Sequence, residues 1–147
     1  MSEHFRPHAA VYMVFRKNGK ILMLRRANTG YEDGMYSLPA GHIDGNETLR
    51  TAAVRETQEE TGVVIAPEDL AFELVMHRNG DREYLDFFFS IKDWRGEPHN
   101  SEPHKCDDLS WFPITELPEN TIPYVREAIH DIENGVRYAE FGWPTVE

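Results

Sequence analysis

Residues 41–63 read GHIDGNETLRTAAVRETQEETGV, and this stretch carries the most specific pattern in the sequence. The middle of the stretch predicts a helix, with Asn46 as the expected N-cap and Glu47 in the first turn, near the positive end of the helix dipole. Gly62 is placed to end the helix as its C-cap. Small apolar residues give the helix a face that can pack on the protein: Leu49, Ala52 and Ala53.

Three glutamates share one face of this predicted helix. Glu56, Glu59 and Glu60 stand at positions i, i+3 and i+4, about one turn apart. Like charges at this spacing weaken a helix by about 0.2–0.5 kcal/mol per pair, and a bound divalent cation would reverse that effect. Mg²⁺ and Mn²⁺ prefer oxygen ligands. The pattern therefore indicates either a metal site or a solvated acidic helix face.

The spacing of the whole stretch resembles the Nudix box. In that motif a glycine is followed after five residues by a glutamate, and seven residues later by Arg-Glu, Glu-Glu and Gly at fixed intervals. The matching positions are Gly41, Glu47, Arg55, Glu56, Glu59, Glu60, Gly62 and Val63. Thr57 departs from the motif at a position that is usually aliphatic, although its methyl group can still pack there. Eight matching positions make the resemblance specific.

The resemblance extends upstream, where residues 25–42, RRANTGYEDGMYSLPAGH, look like the same stretch of MutT-like Nudix hydrolases. It implies an α/β (α+β) fold, a Nudix α/β/α sandwich around a mixed β-sheet, in one domain over residues 1–147. It also implies a metal-dependent hydrolase that cleaves a diphosphate linkage in a nucleoside diphosphate derivative. The expected substrate is a nucleoside triphosphate, which would give a monophosphate and pyrophosphate.

The resemblance also implies roles for individual residues. The carbonyl of Gly41 would help to bind Mg²⁺ or Mn²⁺, while Glu47 and Arg55 would form a structural pair beside the catalytic carboxylates. The carboxylates that would hold the metal are Glu56, Glu59 and Glu60. A further acidic residue is expected in the loop after a later strand, as metal ligand or general base. Glu102 is the candidate, with Asp107 and Asp108 as substitutes.

Several residues outside the motif are candidates for substrate contact. A basic pair, Arg25 and Arg26, ends a predicted strand, and arginine suits phosphate oxygens. The polar loop 28–35, NTGYEDGM, follows directly, and loops on a rigid scaffold often carry binding residues. Tyr31 in this loop could stack on a base or pack against its own domain. The full set of candidates is Arg25, Arg26, Asn28, Tyr31 and Lys105.

Composition excludes several classes of protein. The 147 residues are 40% hydrophobic and 12% aromatic, which is typical of a globular domain, and their net charge is −11. A chain this acidic lacks the basic surface that nucleic-acid polymers or anionic membranes require. The only cysteine, Cys106, fits a reducing, cytoplasmic compartment. Residues 1–8 lack the apolar segment of a secretory signal.

Strand and turn signals predict a sheet outside the central helix. Asn-Gly pairs at 18–19 and 79–80 favour hairpin turns. The predicted strands cover 9–15, 21–24, 36–40, 70–77, 82–91 and, as the last strand, 109–113. Apolar residues recur at helical spacing over 124–134, after Pro123. The aromatic tail 136–147 could dock on the domain, cover the substrate or form a homodimer contact, and the sequence does not choose among these.

Two further functional classes remain open at this point. The chain could be a nucleotide sensor without turnover, although its complete set of carboxylates argues against that. It could also be a metal-binding interaction module, which would leave the Arg25–Arg26 pair and the 28–35 loop without a role. Within the enzyme class, nucleotide sugars, ADP-ribose and dinucleoside polyphosphates are alternative substrates.

Overall fold

The computed structural model describes residues 3–145 and contains two β-sheets with helices packed around them. The strands are β1 (His8–Val14), β2 (Arg16–Lys17), β3 (Lys20–Arg26), β4 (Tyr36–Ser37), β5 (Ala40–His42), β6 (Leu70–Asn79), β7 (Glu83–Ile91), β8 (Cys106–Pro113) and β9 (Tyr138–Phe141). The helices are α1 (Leu49–Thr61) and α2 (Pro123–Glu133), and a short 3₁₀ turn covers Pro67–Asp69. None of the helices within 3–145 is long and apolar enough to cross a membrane.

The larger sheet is mixed and lies between the two helices. Its strand order is β5-β1-β7-β6-β9, with β1 parallel to β7 and β6 parallel to β9. Successive side chains of β1 point to opposite faces, so Tyr12 packs in the cluster that contains Val125 of α2. Met13 packs in the other cluster, with Ala52 of α1. The predicted α/β/α sandwich around a mixed sheet is confirmed.

The smaller sheet is antiparallel and centred on β3, with β8 on one edge and β2 and β4 on the other. The turn at Asn18 and Gly19 lies where predicted, with φ of 53° and 75°. The hairpin that this turn predicted between the strands 9–15 and 21–24 was wrong, however, since β1 pairs with β5 and β7. The two-residue strand β2 pairs with β3, because the chain leaves the larger sheet at the fully buried Phe15 and enters the smaller one.

The predicted hairpin between β6 and β7 is present, but its turn is displaced. Asn79 still pairs with Glu83, so the connection covers residues 80–82 instead of an Asn79-Gly80 turn. Both faces of β7 are covered, as the sequence indicated. Phe88 packs in the cluster beneath α2 and Phe89 in the cluster beneath α1, so these aromatic residues belong to the core.

Helix α1 begins two residues later than predicted. Thr48 is its N-cap, and the Thr48 hydroxyl accepts a hydrogen bond from the Thr51 N–H at 3.0 Å. Asn46 is not the cap because it forms part of a left-handed turn, with φ of 56°, and Glu47 therefore precedes the helix. The C-cap was predicted correctly: Gly62 has φ of 75° and donates to the Gln58 carbonyl at 2.9 Å.

The predicted last strand, now β8, is followed by one more strand. Residues 138–141 form β9, which runs parallel to β6 at the edge of the larger sheet. Trp143 anchors the chain beyond it by donating from Nε1 to the His77 carbonyl at 2.9 Å. Of the three roles left open for the aromatic tail, docking on the domain is the one found. Residues 146–147 of that tail lie outside the described part of the chain.

Candidate active site

A cavity of about 690 Å³ opens between α1, β5 and the loops that follow β3 and β7. Its walls bring together residues that are far apart in the sequence. Predicted site residues that line it are Arg26, Asn28, Tyr31, Gly41, Glu56, Glu59, Glu60, Glu102 and Lys105. Nine of the predicted positions thus face one space, which has the size of many small-molecule sites.

Gly41 allows the Glu56 side chain to lie directly against the backbone of β5. A Cβ atom built on Gly41 would come within 2.0 Å of Glu56 Cδ. Real Cβ contacts are never this short, so any side chain at position 41 would force the Glu56 side chain to move. The glycine therefore lets the Glu56 carboxylate sit in its present place at the edge of the cavity.

Arg55 holds the carboxylates on either side of it. Its Nη2 donates to Glu47 Oε1 at 2.8 Å, and its Nη1 donates to Glu56 Oε1 at 2.7 Å. The same Nη1 lies 3.6 Å from Glu59 Oε1. The hydrogen bond from Arg55 lowers the pKa of Glu47. Neither Glu47 nor Arg55 lines the cavity, so their geometry fits a structural pair that holds the Glu56 carboxylate in place.

Burial makes two of the carboxylates unusually weak acids. Glu60 accepts hydrogen bonds from the Ala40 N–H at 3.2 Å, but burial dominates and raises its pKa well above the ordinary value. Burial also raises the pKa of Glu56 to about 7, with Arg55 opposing and Glu59 and Glu102 adding to the shift. Buried carboxylates that face one another cost energy when ionised, and a cation would relieve that cost.

The donor set fits a hard divalent cation by its chemistry. It consists of carboxylate oxygens and the backbone of Gly41, which are the ligands that Mg²⁺ and Mn²⁺ prefer. Among residues 3–145, no three acidic, histidine or cysteine side chains converge closely enough to hold a metal ion as they lie. Arg55 accounts for part of this, since its guanidinium bonds to Glu56 and lies beside Glu59.

The loop that carries Glu102 is fastened to the C-terminal end of α1. The N–H groups of His99 and Ser101 donate to the carbonyls of Thr61 and Glu60 at 2.9 and 3.2 Å. Asn100 holds the loop from inside: its Oδ1 accepts from the Glu102 N–H at 3.1 Å, and its Nδ2 donates to the Cys106 carbonyl at 2.6 Å. Glu102 is therefore placed at the cavity by contacts on both sides.

The two proposed substitutes for Glu102 are engaged elsewhere. Asp107 accepts a hydrogen bond from Arg25 Nε at 2.6 Å. Asp108 accepts from the Tyr36 hydroxyl and from the Ser110 hydroxyl, the latter at 2.8 Å. Neither lines the cavity, so Glu102 is the better placed of the three.

The two arginines at the end of β3 diverge. Arg25 does not line the cavity and instead pairs with Asp107, which gives its predicted contact with substrate no support. Arg26 lines the cavity, and its guanidinium donates to the Tyr31 carbonyl at 2.7 Å and to the Thr29 hydroxyl at 3.1 Å. Asn28 donates to the His104 carbonyl at 3.0 Å, which joins the loop after β3 to the loop after β7.

Sequence reasoning missed a polar cluster at the cavity wall, on β1, β6, β7 and α2. Its members are Tyr12, Arg78, Tyr84, Asp86 and Tyr124, and four of them line the cavity while Asp86 lies behind Arg78. One signal was available. Arg78, directly after one predicted strand, and Asp86, in the next, are opposite charges, and a hairpin between those strands brings such residues together.

Comparison with known proteins agrees with the fold. The NUDIX domain family model matches residues 4–132. Phosphatase NudJ of Escherichia coli K12 is 31% identical over 151 aligned residues, which cover 95% of each chain. A NUDIX hydrolase from Nitrosomonas europaea is 26% identical with a TM-score of 0.75, over 90% of this chain and 93% of that one. A MutT NUDIX hydrolase from Burkholderia pseudomallei is 24% identical with a TM-score of 0.78, over 86% and 98%.

The chain belongs to the NUDIX domain family. The match covers the box at 41–63 together with the strands and helices around it, so the predicted family is confirmed. The predicted enzyme class, a hydrolase of the Nudix type, is confirmed at the same level.

Proposed function

We propose that this protein hydrolyses a diphosphate linkage in a nucleoside diphosphate derivative, with Mg²⁺ or Mn²⁺ as cofactor. The expected reaction converts a nucleoside triphosphate into a monophosphate and pyrophosphate. The observation that carries the proposal is the convergence of Glu56, Glu59, Glu60 and Glu102 on one cavity that also holds Arg26 and Lys105. Acidic groups for a cation and basic groups for phosphate oxygens are what such a reaction requires.

The residues assigned to the metal are Glu56, Glu59 and Glu60, with the carbonyl of Gly41. A bound Mg²⁺ or Mn²⁺ would neutralise phosphate charge and make a coordinated water more acidic. The protein's own part is to hold the ligands. Arg55 fixes Glu56 through a 2.7 Å hydrogen bond, and the Ala40 N–H fixes Glu60.

The base that takes a proton from the attacking water is assigned to Glu102 or Glu56. Support for Glu102 is the Asn100 hydrogen bond that fixes its backbone at the cavity wall. Support for Glu56 is its place in the same cavity, where burial raises its pKa to about 7 in the protein without metal. The water oxygen then bonds to phosphorus as the bridging P–O bond breaks, and pyrophosphate leaves.

Arg26 and Lys105 are assigned to the phosphate oxygens. Both line the cavity, and no described acidic side chain forms an ion pair with either of them. In a chain with a net charge of −11, local cations of this kind are needed for an anionic substrate to approach. Asn28 and Tyr31 would bound the same substrate from the 28–35 loop.

The proposal extends to the domain organisation, location and partners of the protein. We keep one domain over residues 1–147 as a prediction, which the docking of β9 on β6 supports. A cytoplasmic location is supported by the single cysteine, Cys106, which is free and buried. Homodimer formation also stays a prediction. The substrate is taken to be a small molecule and neither a nucleic-acid polymer nor a membrane.

Nucleotide titration and turnover, each with and without Mg²⁺, separate the three functional classes. The panel contains nucleoside triphosphates, nucleotide sugars, ADP-ribose and dinucleoside polyphosphates. Metal-dependent release of a phosphorylated product from one class supports the enzyme and names its substrate. Nucleotide binding without turnover of any compound would replace it with a sensor. Metal binding without nucleotide binding would replace it with an interaction module.

A further inference from the structure

The cavity is also lined by a second group of side chains that the phosphate chemistry does not use. Arg78 on β6 is 4% exposed and lines the cavity. Its guanidinium donates to Asp86 through Nε at 2.6 Å and through Nη2 at 3.3 Å. Asp86 is fully buried, so the pair is built into the larger sheet beneath the cavity.

Aromatic rings restrict what Arg78 can contact. Its guanidinium carbon lies 4.0 Å from the ring centroid of Tyr84 and 3.8 Å from that of Tyr124. The Tyr124 hydroxyl is held in turn by the Tyr12 hydroxyl at 2.9 Å. Rings pack on the guanidinium, and Asp86 accepts from its Nε and Nη2. Nη1, which lies close to Gly80, has no hydrogen-bond partner among the described residues and is left to donate in the plane of the group.

The net charge of the Arg78–Asp86 pair determines which kind of hydrogen-bond acceptor suits the free Nη1 edge of Arg78. Asp86 neutralises Arg78, so this part of the cavity offers hydrogen bonds without a net positive charge. A second phosphate group would gain little electrostatic attraction from this neutral pair. A neutral carbonyl oxygen, in contrast, can accept a hydrogen bond from the in-plane N–H donor. The surrounding tyrosine rings favour a flat aromatic ring as the group that carries that oxygen.

We infer that Arg78, held by Asp86 and flanked by Tyr84 and Tyr124, binds the substrate's heterocyclic base through a ring carbonyl oxygen. The protein therefore selects bases with an oxo group at the hydrogen-bonding edge over those with an amino group there. This inference rests on the proposed function, since the carboxylates fix the phosphate end of the substrate. Arg78 is then a specificity-determining residue and has no part in breaking the bond.

Two pairs of nucleotides test the inference because each pair exchanges an oxo for an amino group at one ring carbon. The neighbouring ring nitrogen carries a hydrogen only in the oxo member. Inosine and adenosine triphosphates carry an oxo or an amino group on the same purine, and uridine and cytidine triphosphates do so on the same pyrimidine. A hydrogen bond from a charged donor predicts a preference of about tenfold or more in kcat/KM for the oxo member. The preference is expected in KM, with kcat similar for both members.

Arg78→Lys keeps the charge but removes the planar fork, so the preference should fall to about twofold or less. Arg16→Lys is the matched control, because Arg16 pairs with Glu133 at 2.6 Å outside the cavity. That variant should keep the wild-type preference. Equal kcat/KM within each nucleotide pair for the wild type would overturn the inference, and so would a preference unchanged in Arg78→Lys.

Folding is checked by near-ultraviolet circular dichroism, since Arg78→Lys disturbs a buried ion pair. If it fails to fold, Arg78→Gln combined with Asp86→Asn replaces it as an uncharged, hydrogen-bonding pair. If the double variant also fails to fold, the wild-type kcat/KM ratios within the two nucleotide pairs decide the inference.

Binding of the nucleoside monophosphates without metal separates this inference from the proposed function. Selective binding of inosine monophosphate over adenosine monophosphate, with no turnover of any triphosphate, would retain the base site and refute the hydrolase. Turnover of triphosphates without selective binding would retain the hydrolase and refute the base site.

Discussion

Replacing Thr57 by valine should stabilise the protein. Thr57 is fully buried on α1, and its hydroxyl is the one buried side-chain oxygen or nitrogen among the described residues that has no hydrogen-bond partner. It stands at the position where the Nudix box usually has an aliphatic residue. Thr61, one turn later, is equally buried, but its hydroxyl donates to the Thr57 carbonyl at 2.6 Å. The two threonines are therefore a matched pair with opposite expectations.

The magnitudes follow from those contacts. A buried hydroxyl without a partner costs about 1–3 kcal/mol, and valine keeps the shape of threonine. We expect Thr57→Val to raise the free energy of unfolding by about 1 kcal/mol. Thr61→Val should lower it by about 1–2 kcal/mol. That change removes the bond to Thr57 and also the hydroxyl that accepts from the Val63 N–H at 3.3 Å.

Urea denaturation followed by circular dichroism measures both changes. A shift of the midpoint without a change of slope would report stability alone. In thermal melts, 1 kcal/mol corresponds to about 2–4 °C for a domain of this size. A Thr57→Val variant that is less stable than the wild type would refute the reasoning, because it would mean that the hydroxyl is satisfied.

Three further predictions concern the site. Gly41→Ala should lower kcat by about 100-fold, because its Cβ would lie 2.0 Å from Glu56 Cδ and displace the carboxylate; steady-state kinetics within twofold of wild type would contradict this. Arg55→Lys should lower kcat by about tenfold, since lysine cannot bridge Glu47 and Glu56 as the guanidinium does; an unchanged kcat would show that the bridge is dispensable. The third is a pH dependence of Mg²⁺ binding. The pKa of Glu56 is raised from 4.5 to about 7, so its contribution to stability without metal is lost as pH rises through about 7, and Mg²⁺ needs the ionised form. The rise in melting temperature on adding Mg²⁺ should therefore be larger at about pH 8 than at about pH 5.5, and an equal rise at both would count against a role for Glu56.

The sequence was most informative where contacts are local. The spacing of Glu56, Glu59 and Glu60 placed them on one helix face, and Gly62 ended that helix as predicted. The start of α1 was less predictable. Asn46 and Thr48 are both residue types that favour the N-cap position. Asn46 lies in a left-handed turn, so Thr48 is the N-cap.

Contacts between distant segments were harder to predict. Arg25 and Arg26 are equivalent in the sequence, and only the position of Asp107 on β8 shows that the first is engaged outside the cavity. Strand β9 was not predicted because a strand of four residues at a sheet edge is too short to show a clear hydrophobic pattern. The Arg78–Asp86 pair depends on the register between β6 and β7, which the displaced turn made uncertain.

Turnover by a Glu59→Gln variant shows whether carboxylates on α1 support metal-dependent hydrolysis. Glu59 lines the cavity with its side chain 48% exposed, so its replacement should leave the fold intact. Glu127→Gln, an exposed change on α2, is the matched control. With Mg²⁺ and the best substrate of the panel, Glu59→Gln should lose more than about 100-fold in kcat/KM, about 2.7 kcal/mol of transition-state stabilisation, while Glu127→Gln retains wild-type activity. A folded Glu59→Gln variant with full activity would contradict the account.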